Sequence, residues 1–475
     1  MKKIHIALIA ATALLLVISL VLGALHLYIG QRTLPKGTTL AGWEVGGMDR
    51  DGVRSELAEQ VKALHSLPLV LTTEGNTELK LTLKEAGITY DAEPFLQGLQ
   101  ELTEGGLLER VKARRNFPQD WSLSVHLDIK DLQLSLSPAW EKETFGVPVD
   151  ATRRITEDDR VLYTPETSSR KVDWTALEKS LQAIVPKDFK QLKLLQDKGI
   201  TAKVPLTVLK PAVTVKALKE EGIERKIAEF STSLGASGPG RIYNVDAAAK
   251  AVNGTVLPPG GIFDYGKAIE KAKKLYGFRE APVIVNGKLQ PGTGGGICQV
   301  SSTLYNAALH SGLEIVERRN HSLPVSYLPK GQDATFAEGY INFRFRNNTG
   351  KYLVVKAAVQ NRNLTVKMFG TLPRDVSYVI ESEIVQTLSP ADKIVNDSSL
   401  PPGSLRVIES GKTGYVVETY ITRLVDGKPI EKKKLSRDVY RAQKRLVAVN
   451  NAGTGKTTTP EETQRPLLED GVSSE

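Results

Sequence analysis

The clearest pattern in the chain is an unbroken apolar run near its N-terminus. Residues 6–29 are 24 positions with no charged side chain apart from a proton that His26 can carry, and Lys2 and Lys3 precede them. A helix of this length would be ~36 Å long against a bilayer core of ~30 Å, so it spans with a modest tilt. The two lysines in front of the run, with no dense basic cluster after it, predict a cytoplasmic N-terminus.

The alternative for this segment is a cleaved signal peptide. Such a peptide normally has a shorter apolar region that ends in a small-x-small site, and residues 22–24 match that site poorly. We therefore predict a membrane anchor over residues 1–32, in contact with membrane lipid, and an extracytoplasmic body. Cleavage remains the alternative.

Residues 40–225 alternate between helical and strand-like patterns. An apolar stripe at helical spacing predicts a helix over residues 49–63, and alternating residues predict strands over 68–72 and 79–83. An element then recurs, because Asp91 and Asp173 are each followed by apolar residues four and eight positions later, as expected of a capped helix with one buried stripe. These apolar residues are Phe95 and Leu99 in the first copy and Leu177 and Leu181 in the second.

The order of these elements beside a membrane anchor resembles the repeated peptidoglycan-binding module found next to cell-wall transpeptidases and in VanW-type proteins. The resemblance covers residues 40–225 and implies tandem small α+β modules that bind the cell wall. That module has few invariant chemical residues, so the resemblance locates no site.

The rest of the chain divides into three parts by pattern. Small turn-forming residues at 231–240 mark a boundary. Residues 243–371 combine two helical stretches, an Asn286-Gly287 hairpin signal, a glycine-rich loop with a helix, and alternating strands, which predicts an α+β domain. Residues 376–450 predict a small all-β module, and the polar residues 451–475 predict a disordered tail. The fold class is therefore α+β multidomain.

Composition and charge narrow the partners. With 41% hydrophobic and 25% charged residues, the 475-residue chain has globular composition, which excludes wholesale disorder and a polytopic membrane protein. The net charge of +9 suits an anionic partner. A body outside the membrane favours peptidoglycan or an anionic cell-wall polymer over nucleic acid. A single cysteine excludes an internal disulfide and zinc sites with several thiolates, and the scattered histidines suggest no metal; we expect no cofactor.

That single cysteine, Cys298, lies at the start of a predicted helix after a run of glycines. Ile297, Val300, Leu304 and Ala308 fall on one face of this helix. Cys298 is about 100° from Ile297, off this stripe, so the pattern does not require it in the core. Unpaired N–H groups and the dipole at a helix start favour a thiolate, which is the form that acts as a nucleophile.

A cysteine nucleophile needs a base and a group that orients the base, and His321 and Asp333 follow Cys298 in that order. Gln299 is a candidate donor to an oxyanion, and Gly295 and Gly296 would let a substrate approach the backbone. The alternative is structural. Free cysteines are usually buried, glycine runs often allow tight packing, and a histidine near arginines can simply hydrogen-bond a loop.

The same region closely resembles the VanW family. The resemblance rests on GGGICQVSSTLYNA at 294–307, ERRNHS at 317–322, GQDA at 331–334 and LPPG at 257–260, and it covers about residues 243–371. The family takes its name from an accessory protein of vancomycin-resistance clusters, and its biochemical activity is not established. The resemblance implies a role in the cell envelope and assigns no catalytic residue.

The β-rich region over 376–450 resembles the five-glycine domain of wall-associated proteins. The glycines that carry this resemblance are Gly403, Gly411, Gly414 and Gly427. The usual final glycine is not evident near Asn450. The resemblance implies adhesion or glycan binding.

Together these patterns predict a single-pass, membrane-anchored envelope protein that binds peptidoglycan or a related wall glycan, with a link to the response to glycopeptide antibiotics. One alternative is a hydrolase or acyltransferase that uses Cys298, His321 and Asp333 on peptidoglycan stem peptides or another acyl substrate. Another is a scaffold that recruits partners of wall synthesis.

Overall fold

The computed structural model describes residues 2–75, 77–285, 288–450 and 468–472. The helices in these ranges are α1 (Lys2–Ile29), α2 (Arg50–His65), α3 (Glu93–Glu101), α4 (Leu107–Arg115), α5 (Lys130–Ser135), α6 (Pro138–Phe145), α7 (Trp174–Ile184), α8 (Phe189–Leu195), α9 (Val215–Glu220), α10 (Pro239–Val252), α11 (Tyr265–Tyr276) and α12 (Ile297–His310).

Short strands occupy the first half of the chain and longer ones the second half. Up to residue 233 they are β1 (Thr39–Leu40), β2 (Trp43–Glu44), β3 (Pro68–Thr72), β4 (Glu78–Thr82), β5 (Ile88–Asp91), β6 (Asp120–Trp121), β7 (Ser124–Leu127), β8 (Thr152–Ile155), β9 (Val161–Thr164), β10 (Ser169–Val172), β11 (Ile200–Lys203), β12 (Leu206–Leu209) and β13 (Arg225–Ser233). Beyond it they are β14 (Thr255–Leu257), β15 (Ile262–Asp264), β16 (Glu280–Val285), β17 (Lys288–Thr293), β18 (Glu314–Glu317), β19 (Arg344–Arg346), β20 (Leu353–Gln360), β21 (Asn363–Gly370), β22 (Val376–Leu388), β23 (Asp392–Asn396), β24 (Leu405–Glu409), β25 (Gly414–Val425), β26 (Lys428–Tyr440), β27 (Arg445–Val449) and β28 (Leu468–Glu469).

The chain forms two compact units. The first comprises Met1–Val149 and Thr167–Ala212, and the second comprises Asp150–Glu166 and Val213–Glu475. The mixed helices and sheets confirm the predicted α+β multidomain class.

The first unit begins with α1, whose side chains are exposed almost throughout. Its mean hydropathy reaches 2.8, and within the described ranges it is the one helix long and apolar enough to cross a membrane. A membrane anchor and a signal sequence share these properties, so the helix fits either.

The rest of the first unit follows the sequence pattern closely. The helix predicted over 49–63 is α2, which begins after Asp49 because the Asp49 carboxylate accepts the N–H groups of Asp51 and Gly52 at 3.1 and 3.2 Å. The predicted strands are β3 and β4, which pair antiparallel, and β11 joins β3 in parallel.

The two predicted copies of a capped helix are α3 and α7. Asp173 caps α7 by accepting the Ala176 N–H at 3.0 Å, whereas α3 has Ala92 as its capping residue and Asp91 accepts the Glu93 N–H instead. Phe95, Leu99, Leu177 and Leu181 are buried in one shared hydrophobic core. The division of residues 40–225 into tandem modules stays a prediction.

The second unit is built on a four-stranded antiparallel sheet in the order β13-β21-β20-β14. Helices α10 and α12 pack against this sheet, and their apolar side chains form a second core with those of β20 and β21. Residues 297–309 of α12 are all buried, so this helix is the centre of the unit.

A hairpin of β16 and β17 lies beside this core. Its antiparallel register from Glu280 opposite Thr293 to Val285 opposite Lys288 agrees with the predicted hairpin, and the turn residues Asn286 and Gly287 lie outside the described residues. The strand β28 adds to β16 as a third strand. The prediction of a disordered tail is therefore wrong for residues 468–472, because β16 and the core supply partners that no local pattern reveals; residues 451–467 and 473–475 lie outside the described ranges.

Residues 376–450 form two small sheets, in the orders β22-β25-β26 and β23-β27-β24. The turn between β25 and β26 is Asp426-Gly427, with φ of 49° and 73°. Both angles lie in the left-handed region that Asp and Gly tolerate best, which is why these residues occupy the turn.

Candidate functional site

The start of α12 is shaped by glycines. Gly296 precedes the helix with φ of +111°, and a Cβ there would lie 2.8 Å from Arg241 Cγ. A Cβ on Gly295 would lie 2.4 Å from the Pro282 carbonyl oxygen. The protein itself fills the space beside these glycines, which supports tight packing, while their predicted role in substrate binding stays a prediction.

The Cys298 side chain is fully buried at the first turn of α12. Its Sγ accepts the Phe336 N–H at 3.1 Å and lies 3.4 Å from the Phe336 carbonyl oxygen. Cys298 thus lies in the core although it is off the apolar stripe, as the structural alternative for a free cysteine expects, because α12 is enclosed on all faces rather than on one.

A segment at residues 332–336 runs along α12 in the opposite direction. Asn306 Nδ2 donates to the Gln332 carbonyl at 2.8 Å, and the Ala334 N–H donates to Ser302 Oγ at 3.0 Å. These bonds, with the Phe336 contact to Cys298, fix Asp333 beside the helix. Ser302 and Asn306, four residues apart on α12, thus hold the segment that carries Asp333, the candidate orienting residue.

His321 and Asp333 meet as predicted for a base and its orienting group. His321 Nδ1 lies 2.7 Å from Asp333 Oδ2, which also accepts the His321 backbone N–H at 2.6 Å. Both side chains are about 1% exposed. The structure therefore places the predicted base directly against its predicted orienting residue.

The Asp333 carboxylate has further partners. Its Oδ1 accepts the Tyr440 hydroxyl and lies 3.6 Å from the Arg318 guanidinium, which forms a bidentate pair with Asp438 at 2.6 and 2.7 Å. Tyr440 and Asp438 belong to the β-rich region. The network therefore joins the α12 region to β26 through buried charges.

The charges in this network are mutually stabilised. Burial alone would raise the pKa of Asp333, but the hydrogen bonds from His321 and the positive charges of His321 and Arg318 outweigh burial and hold the pKa at about 2. Burial alone would lower the pKa of Arg318. The neighbouring Tyr305, Asp438 and Asp333 outweigh burial, so the pKa of Arg318 lies above its ordinary value. Burial and the Asp333 charge raise the pKa of Tyr440. Asp333 is ionised and Tyr440 is neutral at pH 7.

Gln299 makes structural hydrogen bonds. Its Nε2 donates to Thr232 Oγ1 at 3.0 Å and to the Ser233 carbonyl at 2.9 Å, and its Oε1 accepts from Arg241 at 3.2 Å. Both amide hydrogens are therefore engaged with β13. A role as oxyanion donor would need one of these bonds to be exchanged, and it stays a prediction.

Two charged residues at this site carry no motif in the sequence. Asp470 accepts the Cys298 N–H on Oδ1 at 2.7 Å and pairs with Arg241 Nη1 through Oδ2 at 3.1 Å. Burial alone would lower the pKa of Arg241, but the charge and hydrogen bond of Asp470, together with Tyr327 and Cys298, outweigh burial and raise it. The sequence signal for Arg241 is a cation in the first turn of α10, where the helix dipole disfavours it. Asp470 has no local signal.

The contacts show a carboxylate bound by Arg241 and the first α12 amide, whereas proton transfer at His321 stays a prediction. Among the described residues, no group of three or more His, Cys, Asp or Glu side chains could hold a metal ion. The arrangement of Cys298 with His321 and Asp333 as one catalytic group stays a prediction.

Comparison with known families assigns both parts of the second unit. The family described as VanW like protein matches residues 240–369, and the G5 domain family matches residues 379–452. The chain therefore contains a VanW-like domain followed by a G5 domain, as both resemblances predicted. The wall-binding modules predicted over residues 40–225 stay a prediction.

Two curated relatives are similar over part of their length. The uncharacterized protein YoaR of Bacillus subtilis (strain 168) is 34% identical over 147 residues, which are 31% of this chain and 48% of YoaR. The vancomycin B-type resistance protein VanW of Enterococcus faecalis (strain ATCC 700802 / V583) is 30% identical over 151 residues, which are 31% of this chain and 55% of VanW. The chain thus spans about half the length of each.

Two solved structures also align with part of the chain. The crystal structure of HP0197-G5 is 30% identical with a TM-score of 0.12, and covers 15% of this chain and 97% of its own. The IgA1 protease G5 domain is 19% identical with a TM-score of 0.13, and covers 17% of this chain and 95% of its own. Scores this low carry no structural argument, so the G5 assignment rests on the family match.

Proposed function

We propose that this protein is a cell-wall-associated protein, anchored in the membrane by α1, whose body binds peptidoglycan or a related anionic wall polymer. The observation that carries the proposal is the presence of a VanW-like domain and a G5 domain on one chain behind an apolar N-terminal helix. The net charge of +9 suits an anionic polymer.

The proposed topology follows from charge at the two ends of α1. Lys2 and Lys3 precede the apolar residues, and no acidic residue lies within the helix. A cytoplasmic N-terminus keeps these lysines on the favoured side. If the anchor is retained, the chain stays with the membrane after alkaline carbonate washing and keeps its N-terminus; release of a shorter chain would instead identify a cleaved signal.

The surface proposed to contact the polymer is the outer strand of the G5 domain. Strand β26 exposes a series of cations, and it is an edge strand of its sheet. The exposed cations are Lys428, Lys432, Lys433, Lys434 and Arg437. Lys432 also lies 4.8 Å from the centre of the Tyr420 ring. Cations beside an aromatic ring suit an acidic glycan, because the ring packs on sugar faces while the cations meet its charges.

The experiment for this proposal is co-sedimentation of the full-length chain, kept soluble in detergent, with insoluble peptidoglycan. The control is a detergent-solubilised protein of matched charge and size. We expect this chain to pellet and the control to stay in solution. Equal pelleting of the two would refute specific wall binding.

The link to glycopeptide antibiotics rests on the name of one relative, the vancomycin B-type resistance protein VanW. We propose that this chain contributes to the same response. Its deletion would then change the minimal inhibitory concentration of vancomycin and leave that of a β-lactam unchanged. An unchanged vancomycin value would remove this part of the proposal.

The second candidate function is a cysteine-dependent enzyme that acts on stem peptides or another acyl substrate. The observation that favours it is the 2.7 Å pair of His321 and Asp333, the geometry of a base with its orienting group. The pH profile of alkylation at Cys298 tests it. A thiol pKa below the ordinary value of about 8.5, raised by His321→Gln, supports the enzyme. An ordinary profile in both proteins, or a Cys298 that does not react in the folded chain, excludes it.

A further inference from the structure

The described C-terminal residues occupy a groove in the VanW-like domain. β28 pairs antiparallel with β16, with Ile284 opposite Glu469, and the Val472 N–H donates to the Thr293 carbonyl at 3.0 Å. On the other side, Gly471 bridges Ala337. Residues 468–472 therefore lie as an extended peptide between the β16 edge and the segment that follows Phe336, which is the geometry of a peptide added to a sheet edge.

Protein groups at one end of this groove bind a carboxylate. Gly296, the capping residue of α12, has no side chain to accept the first N–H groups of the helix. The Asp470 carboxylate takes that place, because one oxygen accepts the Cys298 N–H and the other pairs with Arg241. Asp470 and Arg241 side chains are 9% and 17% exposed. A guanidinium and a helix amide aimed at one carboxylate are two independent elements of an anion site.

The rest of the groove is shaped for small and apolar groups. Val472 is buried in the core and touches the face of Gly294, where a Cβ would lie 3.2 Å from Val472 Cγ2. A Cβ on Gly471 would lie 2.8 Å from Val283 Cγ1 and 2.9 Å from the Thr293 carbonyl oxygen, so in the conformation of the tail this position has no room for a side chain. The peptide is thus held by backbone bonds, one carboxylate and one apolar side chain.

The segment that occupies the groove lies beyond the G5 domain in the sequence. Seventeen residues, 451–467, separate Leu468 from Asn450 at the end of the G5 domain. A tethered segment of this kind meets its site at an effective concentration in the millimolar range, so it fills even a weak site until a stronger ligand arrives.

We propose that this groove is a binding site for an extended peptide bearing a carboxylate, that its ligand is the stem peptide of peptidoglycan, and that residues 468–472 occupy it until the ligand displaces them. The choice of stem peptide rests on the proposed function, since these peptides carry free carboxylates. The groove and its occupation by the tail rest on the contacts alone.

The test uses the full-length chain in detergent and a fluorescent peptide of residues 466–475. In the chain D470N/V472E, the tethered tail loses its carboxylate and its apolar anchor, so the free peptide can enter. We expect this variant to bind the peptide at least tenfold more tightly than the unaltered chain does, because the native tail competes. A peptide with Asn in place of Asp470 should bind at least tenfold more weakly. Equal binding of the two peptides by the D470N/V472E chain, or no binding of either, would refute the proposed groove.

Arg241→Gln in the D470N/V472E background is expected to lose the preference for the acidic peptide, and Arg241→Lys to keep part of it. A thermal melt of each variant shows whether it folds. If the Arg241→Gln chain does not fold, the comparison of the acidic peptide with the peptide that has Asn in place of Asp470 tests the groove without it.

The ligand is tested by competition. Soluble muropeptides with free stem carboxylates should displace the fluorescent peptide, whereas the same muropeptides with amidated carboxylates should not. If neither muropeptide displaces the fluorescent peptide, the stem peptide is not the ligand. Pelleting with peptidoglycan in that case would leave the proposed function standing, and loss of pelleting with intact displacement would refute wall binding but retain the groove.

Discussion

The backbone N–H of Cys298 donates a 2.7 Å hydrogen bond to the side chain of Asp470, 172 residues later in the chain. The bond caps a central buried helix with a carboxylate that comes from beyond the G5 domain. The same carboxylate neutralises Arg241, the residue that would otherwise leave a largely buried cation at the start of α10. The start of α12 therefore depends on the tail.

Asp470→Asn tests this dependence. The amide keeps the size of the side chain but loses the charge that Arg241 requires, and a hydrogen bond to a charged group is worth about 1.5–3 kcal/mol. We expect faster amide hydrogen exchange in β16 and in the first turn of α12, and a free energy of unfolding lower by at most about 3 kcal/mol. The control, Asp426→Asn at an exposed turn, should change neither; unchanged exchange in β16 for Asp470→Asn would contradict this result.

The pair of His321 and Asp333 predicts a pH dependence of stability. The pKa of Asp333 lies at about 2 in the folded chain, below its ordinary 3.8, so ionised Asp333 stabilises the fold above pH 4 by about 2 kcal/mol. This contribution is lost as the pH falls from 4 through 2. In urea unfolding, Asp333→Asn should therefore cost about 2 kcal/mol at pH 7 and progressively less towards pH 2. Exposed Asp375→Asn should show no such trend, and a constant cost for Asp333→Asn would argue against an ionised Asp333.

Tyr440 is the G5 residue that touches this pair. Its hydroxyl donates to Asp333 Oδ1 and accepts the Gly331 N–H at 2.7 Å. Tyr440→Phe leaves both groups buried without this partner, which costs about 1–3 kcal/mol. Chemical unfolding should show that loss, whereas Tyr340→Phe at a 75% exposed site should be neutral. Equal stability of the two variants would mean that the network does not hold the domains together.

Substitution of Gly295 distinguishes a role in packing from a role in ligand binding. A Cβ there would lie 2.4 Å from the Pro282 carbonyl oxygen, and such backbone overlap costs about 1–3 kcal/mol in a packed core. Gly295→Ala should therefore lower the thermal midpoint, and Gly52→Ala, at an exposed position of α2 where the atoms nearest to a Cβ lie 3.9 Å away, should not. A Gly295→Ala chain with unchanged stability but weaker ligand binding would support the substrate role instead.

Local patterns predicted the elements that rest on neighbouring residues. Helix α2, the strand pair β3 and β4 and the hairpin of β16 and β17 all depend on residues close together in the sequence. The families of both C-terminal domains were evident from short motifs for the same reason.

The sequence did not predict contacts between distant segments. Arg241 and Asp470 are 229 residues apart, and Asp470 lies in a polar tail whose composition indicates disorder. The apolar stripe of α12 did not by itself place Cys298 in the core, because a stripe on one helix face reveals only the packing of that face. Enclosure of α12 by strands, a second helix and the segment at residues 332–336 is a tertiary property.

Wall binding through the exposed cations of β26 can be separated from the effect of net charge. Lys428→Gln/Lys433→Gln removes two of them, and Lys271→Gln/Lys274→Gln on α11 removes two exposed lysines elsewhere, so both variants carry the same net charge. Exposed ion pairs contribute about 0.2–1 kcal/mol each.

The decisive measurement is the fraction of each full-length variant that pellets with peptidoglycan over a range of peptidoglycan concentrations. We expect the apparent affinity to fall about twofold to thirtyfold for the β26 variant and to stay unchanged for the α11 variant. Equal affinities for the two variants, or no pelleting of the unaltered chain above the charge-matched control, would contradict wall binding through β26.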